Sequence, residues 1–232
     1  MSNFVINPYS FTSEFSPSDI SDLFAWYDFS DSTTVTKDVG TLRVSQVDDK
    51  SGNDFNLTST GDDQPLWVSA DQNGYDVLNF AGDRFMKAAF TAVSQPNTIA
   101  IACVIPTEGN QSLWDGSGGG KCRFRTVDGT AETIGINGGS LLTSNGVSGL
   151  FETWAYVINI YNNSSSIIRI NGSLNKTGNA GTNDQEGFTI AAQNNDSGFA
   201  NVKMGEIIAY NKVVTGTELT DLETYLSDKW DI

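Results

Sequence analysis

Pairs of Asn or Asp with Gly recur along the chain and divide it into short segments. Such pairs supply the positive φ angles that tight hairpin turns require. Between them lie short apolar or alternating runs at about ten-residue spacing, which is the pattern of a β-sandwich or barrel. This pattern predicts an all-β fold. The pairs include Asn73-Gly74, Asp115-Gly116, Asp128-Gly129, Asn137-Gly138, Asn145-Gly146 and Asn171-Gly172.

Thirteen runs are predicted to be strands on this basis. Two of them, IAIACVI at 99–105 and EIIAY at 206–210, are nearly continuous in apolar residues, which indicates central strands covered on both sides. The full set is Ala25–Phe29, Thr41–Val47, Leu66–Val68, Val77–Phe80, Phe85–Ala88, Thr98–Ile105, Ser112–Asp115, Cys122–Val127, Glu132–Ile136, Thr153–Tyr161, Ser165–Ile170, Phe188–Ala192 and Asn201–Asn211.

A helix is predicted at each end of a single domain that covers residues 16–232, preceded by an arm at 1–15. Ser16 and Pro17 suit an N-cap and a first helical position, so a short helix is expected there. Near the C-terminus, Thr215 and Glu218 have the spacing of a capping box. Helical spacing then places five apolar residues on one face: Leu219, Leu222, Tyr225, Leu226 and Trp230.

The composition excludes several classes of protein. The 232 residues include 13 Lys and Arg against 28 Asp and Glu, a formal net charge of -15, and no His. Without His there is no Ser-His-Asp triad and no imidazole metal ligand. The negative charge argues against nucleic acid as a partner. Cys103 and Cys122 are expected to be free, buried thiols.

The N-terminus has no basic region followed by an apolar one, so no secretory signal is predicted. The longest apolar run is also far too short to span a membrane. We therefore expect synthesis and folding in a cytoplasm and no membrane insertion.

Five segments of the chain form an ordered set of motifs: FSPSDISDLFAWYDFSD at 15–31, DKSGN at 49–53, YDVLNF at 75–80, IRING at 168–172 and GEIIAYNKVVTGTELTDLETYLSDKWDI at 205–232. The most specific is the last, in which a Gly-Glu strand and a Tyr-Asn pair precede a Thr-capped helix that ends in Lys-Trp. Taken in this order, the segments resemble laminin-G-like domains of the concanavalin A-like lectin/glucanase superfamily.

This resemblance implies a jelly-roll β-sandwich of two antiparallel sheets, in a family that binds glycans or proteins far more often than it catalyses. Similar domains occur on bacteriophage virions. The chain is therefore expected to be a non-enzymatic virion surface protein, either a capsid decoration or a fibre component. Expected partners are other virion proteins and host surface glycans, in a homo-oligomer or an assembly on a particle. The alternative is a glycan-binding adhesin that recognises a host polysaccharide.

Glycoside hydrolysis is the least favoured function, and no catalytic residue is predicted. Glycosidases place two carboxylates about 5–9 Å apart across the scissile bond, and the related β-glucanases carry them as Glu-x-Asp-x-x-Glu. That spacing does not occur here. Glu206 stands alone in its strand and is expected to be structural, through a hydrogen bond to a neighbouring loop. Asp184 and Glu186 are expected to be solvated loop acids.

Calcium is the one candidate cofactor that the sequence indicates. It takes six to eight oxygen ligands, and the loop at 48–54 offers Asp49, Asn53 and Asp54. The loop at 194–198 is a second oxygen-rich segment. In the alternative interpretation, Asp49 and Asn53 bond to backbone amides across a turn.

Aromatic and amide side chains are the expected contacts for a glycan. Trp114 adjoins the glycine-rich segment 115–120 and is predicted to be exposed. Tyr161 and Asn194 are further candidate contacts, and Tyr75 is another aromatic residue predicted to lie in a loop. The remaining strand and helix tryptophans are assigned to the core: Trp26, Trp154 and Trp230.

One basic stripe interrupts the acidic composition. Lys121, Arg123 and Arg125 alternate with apolar residues, which places three cations on one face of a strand. The stripe is a candidate contact for an acidic glycan or an acidic partner. In the alternative interpretation, the three cations pair with carboxylates of the same chain.

Overall fold

The computed structural model describes residues 15–106, 109–117, 122–127 and 132–232. Within these ranges it has seventeen strands and one α-helix, α1 (Gly216–Trp230). The strands in chain order are β1 (Leu23–Asp28), β2 (Val35–Lys37), β3 (Val44–Val47), β4 (Leu57–Thr58), β5 (Leu66–Gln72), β6 (Tyr75–Asn79), β7 (Met86–Ala88), β8 (Asn97–Val104), β9 (Ser112–Asp115), β10 (Arg123–Thr126), β11 (Ile134–Asn137), β12 (Leu141–Thr143), β13 (Trp154–Tyr161), β14 (Ser166–Ile170), β15 (Ser173–Gly178), β16 (Phe188–Ile190) and β17 (Lys203–Tyr210).

The strands form two antiparallel sheets, which confirms the predicted β-sandwich. Sheet A has the order β15-β14-β13-β8-β17-β6-β5, and β1 also pairs with β17. Sheet B has the order β12-β11-β10-β9-β16-β7-β4-β3-β2. The two nearly continuous apolar runs, β8 and β17, are neighbours in the middle of sheet A. Their prediction as central strands is confirmed.

The main core lies between the two sheets. Ile99, Ile101 and Cys103 of β8 are fully buried there, together with Ile207 and Ala209 of β17. Because side chains alternate along a strand, the intervening residues of both strands point to the other face of sheet A. That outer face is covered by α1.

Helix α1 is held on sheet A by large apolar side chains. Leu222, Leu226 and Trp230 are completely buried and share one apolar cluster with Ala100 of β8. Gly205 in β17 gives Trp230 its position, since a Cβ atom at residue 205 would overlap the indole ring. Burial of such side chains contributes about 1.5–3 kcal/mol each to stability.

The predicted short N-terminal helix is not formed. Pro17–Asp19 is a single 3-10 turn, although Ser16 caps it as expected. The turn does not extend because Asp22 adopts a left-handed φ of 63° and β1 begins at the next residue. The predicted arm lies outside the described residues, except for Phe15.

The hydrogen bonds at the two ends of α1 differ from those predicted. Thr215 makes no side-chain capping bond, and Glu218 instead forms an ion pair with Lys212 at 2.8 Å. The expected capping box is therefore wrong. At the other end, the side-chain amides of Gln72 and Asn73 donate to carbonyls of the last turn. These bonds satisfy helix carbonyls that have no partner within the helix.

Cys103 and Cys122 are free and buried, as predicted. Burial raises the pKa of both thiols, so neither is a reactive thiolate at neutral pH. In the part of the chain that the structure describes, no helix has the length and apolar character needed to cross a membrane.

Candidate functional site

A groove of about 530 Å³ lies on the outer face of sheet A, beside the C-terminal half of α1. Two smaller depressions of about 400 and 270 Å³ are also present, and the smaller one shares Thr224 and Asp228 with the groove. Sites for small ligands are typically concave, with apolar walls and a few convergent polar groups. The groove has this composition, since aromatic rings and charged groups line it: Phe15, Tyr75 and Tyr225, and Asp28, Asp228 and Lys229.

Three distant segments build the groove. In β1, alternation sends Trp26 and Asp28 to the outer face of sheet A, and the register places Asp28 opposite Glu206 of β17. In α1, Tyr225 and Lys229 are four residues apart and therefore lie on the same side of the helix. The β5–β6 hairpin closes the third side.

Glu206 is completely buried beneath the groove. Its Oε1 atom accepts hydrogen bonds from Trp26 Nε1 at 2.6 Å and from the Tyr225 hydroxyl at 2.8 Å. Its Oε2 atom accepts from Lys229 Nζ at 3.0 Å and from Trp230 Nε1 at 3.3 Å. Three of the four donors belong to α1, so this carboxylate ties the helix to the sheet. The expected bond to a neighbouring loop is replaced by bonds to a strand and a helix.

Lys229 links Glu206 to a second carboxylate. Its Nζ atom lies 2.9 Å from Asp28 Oδ1 and 3.0 Å from Glu206 Oε2. Asp28 Oδ2 lies 3.4 Å from Lys50 Nζ, which also contacts Asp31 at 2.7 Å. Charges of alternating sign therefore run from the interior to the surface.

The pKa values of the two carboxyl groups that contact Lys229 are shifted in opposite directions. Burial is the largest influence on each and favours the protonated form. For Glu206 burial prevails, and the pKa is raised. For Asp28 the attraction of Lys229 and the hydrogen bond from Ser30 prevail over burial, and the pKa is lowered. Asp28 is therefore the ionised carboxylate that a ligand in the groove would meet.

Lys229 stays protonated in this setting. Burial alone would lower the pKa of its ammonium group, but Glu206 and Asp28 outweigh this effect and raise the pKa. The ammonium also donates to the Tyr225 hydroxyl at 3.2 Å. Its three protons thus face three partners, which fixes the side chain at the base of the groove.

Tyr75 forms the exposed wall of the groove. The residue is 40% exposed, and its ring packs on Trp230 with the ring centroids 5.6 Å apart. The hairpin that carries it is attached to the helix, because Gln72 donates to the Trp230 carbonyl at 2.6 Å and Asn73 donates to the Lys229 carbonyl at 3.0 Å. The wall is therefore held against the last turn of α1.

Two of the aromatic residues predicted to contact a glycan, Trp114 and Tyr161, lie in the core instead. Trp114 is completely buried, and its indole N–H donates to the Cys122 carbonyl at 2.8 Å. Tyr161 is also completely buried, and its hydroxyl donates to the Arg123 carbonyl at 2.9 Å. The predicted exposure of Trp114 is wrong because β9 lies inside sheet B and directs this side chain towards sheet A.

The other predicted contacts that the structure describes lie on or beside sheet B, away from the groove. Lys121 lies outside the described residues, while Arg123, Arg125 and Asn194 are half-buried. Asn194 donates its backbone N–H to the Asp115 carboxylate at 3.2 Å. Burial raises the pKa of Asp115, and the backbone N–H groups of Asn194 and Gly116, with a smaller influence of the Arg123 charge, offset part of this rise. The role of the basic stripe as a ligand contact stays a prediction.

The loop proposed for calcium is held by internal hydrogen bonds. Asp49 Oδ1 accepts the backbone N–H groups of Trp26 and Ser51 at 2.9 Å, and Oδ2 accepts the Ser51 hydroxyl at 2.7 Å. Asn53 donates its amide to a backbone carbonyl at 3.2 Å, and Asp54 is exposed. The oxygen atoms of Asp49 are already occupied by these donors, so this side chain does not fit a calcium ligand set. Among the described residues, no three His, Cys, Asp or Glu side chains form a possible metal site.

Sequence reasoning missed most of the groove. Tyr75 is the only groove residue among the predicted glycan contacts, whereas Asp28, Tyr225 and Lys229 are absent from that set. The four-residue spacing of Tyr225 and Lys229 could have indicated that they are neighbours on the predicted helix. Nothing in the sequence shows that β1 lies beneath them.

The chain matches no protein-family model, and no curated protein matches it. Among solved structures, it is similar to domain 4 of AbnA, a GH43 extracellular arabinanase from Geobacillus stearothermophilus, in complex with arabinotriose. The TM-score is 0.58 at 14% sequence identity, over 87% of this chain and 98% of that one.

Two matches are to larger chains. An arabinofuranosidase complexed with arabinofuranosyl-alpha-1,2-xylobiose gives a TM-score of 0.66 at 10% identity, over 93% of this chain and 65% of that one. A Trypanosoma rangeli sialidase in complex with the inhibitor DANA gives a TM-score of 0.58 at 12% identity, over 89% of this chain. The chain spans 33% of the length of that sialidase.

At these identities the likeness shows the fold alone, which is a β-sandwich of two antiparallel sheets. The matches contradict the expectation that the chain is not an enzyme, because chains that contain this fold include a sialidase and an arabinofuranosidase. The fold gives no reason to exclude catalysis. The laminin-G-like assignment stays a prediction.

Proposed function

We propose that the chain is a carbohydrate-binding β-sandwich and that the groove beside α1 holds the sugar. The observation that carries this proposal is the combination of an exposed aromatic ring with an ionised carboxylate in one concave site. Tyr75 offers an apolar face on which a sugar ring can pack, and Asp28 lies at the base of the same groove. Such a site binds a ligand that has both apolar faces and hydroxyl groups.

Asp28 is suited to accept hydrogen bonds from sugar hydroxyls. Its Oδ1 atom is occupied by Lys229 and by the Ser30 hydroxyl at 2.6 Å. Among the described residues, its Oδ2 atom accepts one hydrogen bond, from Lys50 Nζ at 3.4 Å. Since a carboxylate oxygen can accept two hydrogen bonds, Oδ2 has capacity for a ligand hydroxyl. Hydrogen bonds to an ionised acceptor are the stronger kind.

The comparisons support this proposal through the fold. Domain 4 of AbnA is described in complex with arabinotriose, and this chain covers nearly all of that domain. The matched arabinofuranosidase is also described with an oligosaccharide. Groove residues Asp28, Asp221 and Asp228 add negative charge, which favours neutral sugars over acidic ones.

Tyr75→Ala tests the proposal, with Leu174→Ala as a matched control. Leu174 is 58% exposed on the edge strand β15, so its removal also deletes an exposed apolar side chain from sheet A. Calorimetric titration with arabino-, xylo- and cello-oligosaccharides should show binding that weakens about three- to tenfold in Tyr75→Ala. Leu174→Ala should bind normally.

Two results would contradict the proposal. One is the same affinity for Tyr75→Ala as for the unaltered chain. The other is no binding to any oligosaccharide of the three series.

Display of such a module on a phage particle, with other virion proteins as partners, is also proposed. It is supported by the laminin-G-like resemblance of residues 16–232. Mass spectrometry of purified particles from a phage that encodes the chain tests it. Absence of the chain from those particles would contradict it.

A further inference from the structure

A second depression, of about 400 Å³, lies on the same outer face of sheet A as the α1 groove. The register of the sheet places its lining in one row across four adjacent strands. Residues that face each other in neighbouring strands point to the same side of the sheet. The row therefore offers an indole ring, an ammonium group and an amide on one face. In order, it consists of Trp154, Val104, Lys203 and Asn79.

Trp230 separates the depression from the α1 groove. Its indole is stacked on Trp154, with the centroids 5.7 Å apart and the planes at 4°. It also packs on Tyr75 of the groove. Trp230 is completely buried, whereas Tyr75 is exposed and Trp154 is half-buried. The two partly accessible rings therefore lie in adjacent cavities on either end of one aromatic cluster.

The polar groups of the second depression also suit an uncharged ligand. Lys203 is neutralised by Asp71, 2.6 Å away. Glu152 and Asn201 are exposed at the rim. Neither cavity has an excess of positive charge, because the lysines of both are paired with carboxylates. An anionic polysaccharide would be repelled from this face.

We propose that the α1 groove and the second depression form one binding surface for a linear, neutral polysaccharide. One sugar packs on Tyr75 and another on Trp154, so the ligand is a segment of a chain rather than a single terminal sugar. Both rings lie within 6 Å of Trp230, which brings the two contacts within reach of one short oligosaccharide. This inference rests on the proposed carbohydrate-binding function and specifies its ligand.

The test is the dependence of affinity on ligand length. Arabino-, xylo- and cello-oligosaccharides of two to six units are titrated into the full chain. In the series that binds, affinity should rise about tenfold once the oligosaccharide reaches both rings. Galacturonate oligomers of the same lengths should bind more weakly than the neutral homologues.

Two variants test whether the second depression causes the increase in affinity with oligosaccharide length. Trp154→Ala removes the second ring and should abolish the increase in affinity with length. Because Trp154 also packs on Trp230, its loss can loosen α1. Asn201→Arg therefore serves as a second variant that obstructs the depression from an exposed position. Leu174→Arg is the matched control and should leave the length dependence intact.

The outcomes separate this inference from the function on which it rests. If short and long oligosaccharides bind equally well, or if Asn201→Arg keeps the full gain, the extended surface is wrong and the groove alone binds sugar. Tighter binding of the galacturonate series would contradict the proposal that the ligand is uncharged. If no series binds at all, the proposed function fails, and this inference fails with it.

Discussion

The two most deeply buried carboxylates among the described residues lie one on each sheet, and their hydrogen-bond partners differ in kind. Glu206 on sheet A accepts four hydrogen bonds from side chains, three of them on α1. Asp115 on sheet B is 2% exposed and accepts the backbone N–H groups of Gly116 and Asn194. Burial raises the pKa of both carboxyl groups.

The donors show which parts of the fold each buried carboxylate requires. The donors to Glu206 come from opposite ends of the chain, and Trp26 is 180 residues away. That network exists only when the helix is docked on the sheet. One donor to Asp115 is its own neighbour, Gly116, and the other, Asn194, lies in a loop 79 residues away. Both carboxylates therefore depend on tertiary contacts, but the Glu206 network needs a docked helix, whereas the Asp115 contacts need one loop.

Replacement of Glu206 should give the largest effect. Glu206→Leu leaves Lys229 with a single carboxylate and leaves two indole N–H groups without their acceptor. Removal of one member of a buried ion pair costs about 3–5 kcal/mol, so we expect a loss of this size in the free energy of unfolding, measured by urea denaturation.

Asp115→Asn is the matched replacement on sheet B. Asparagine keeps one oxygen acceptor for the backbone donors, so a loss of about 1–2 kcal/mol is expected. Equal losses for Glu206→Leu and Asp115→Asn would remove the distinction between the two faces.

Acid unfolding should show the next largest effect. The pKa of Asp31 is lowered to about 2, chiefly by the hydrogen bond from Lys50, and the pKa of Asp28 is also lowered. A carboxyl group with a lowered pKa in the folded state stabilises the fold above its unfolded pKa, near 4. That contribution is lost as the pH falls towards the folded pKa.

The melting temperature of the unaltered chain should therefore fall between about pH 4 and pH 2. The double variant Asp28→Asn, Asp31→Asn should be less stable at neutral pH and should show a shallower fall over this window. Glu206 acts in the opposite sense, because its raised pKa favours the protonated folded state at low pH. If the melting temperature of the double variant falls as steeply with pH as that of the unaltered chain, Asp28 and Asp31 do not cause the loss of stability in acid.

The smallest effect is expected on the basic stripe. Arg123 is half-buried and interacts electrostatically with Asp115, and charge interactions at partly exposed sites contribute about 0–1 kcal/mol. Arg123→Gln should lower the free energy of unfolding by no more than this and leave the binding of neutral oligosaccharides unchanged. Loss of that binding in Arg123→Gln would place the sugar site on sheet B.

The strands could be predicted wherever apolar residues run continuously or turn pairs flank them. β8 and β17 are such cases, and all thirteen predicted runs contain a strand. The missed strands lack an apolar run. β2, β12 and β15 are sheet edges with exposed residues, and β4 has two residues. Pairing with a neighbour, which is a non-local interaction, makes them strands.

The candidate site could not be predicted because its residues converge only in three dimensions. The exposure of Trp114 is predicted from the glycine-rich segment that follows it. The prediction fails because its own strand pairs with β10 and β16 inside sheet B. Asp28 and Lys229 are at opposite ends of the chain, and although both lie in segments that carry the laminin-G-like resemblance, no sequence spacing shows that they meet. The helix pattern did predict the docked face of α1, including Trp230, on which both cavities depend.

The most direct test of the central claim uses the indole N–H signals of the five tryptophans in a ¹⁵N-labelled sample. Trp154 and Trp230 lie at the two cavities on sheet A, whereas Trp114 is buried in sheet B. Titration with arabinotriose and xylotriose should shift the signals of Trp154 and Trp230 and leave that of Trp114 unchanged. A shift of Trp114 with Trp154 and Trp230 unchanged would contradict a carbohydrate site beside α1.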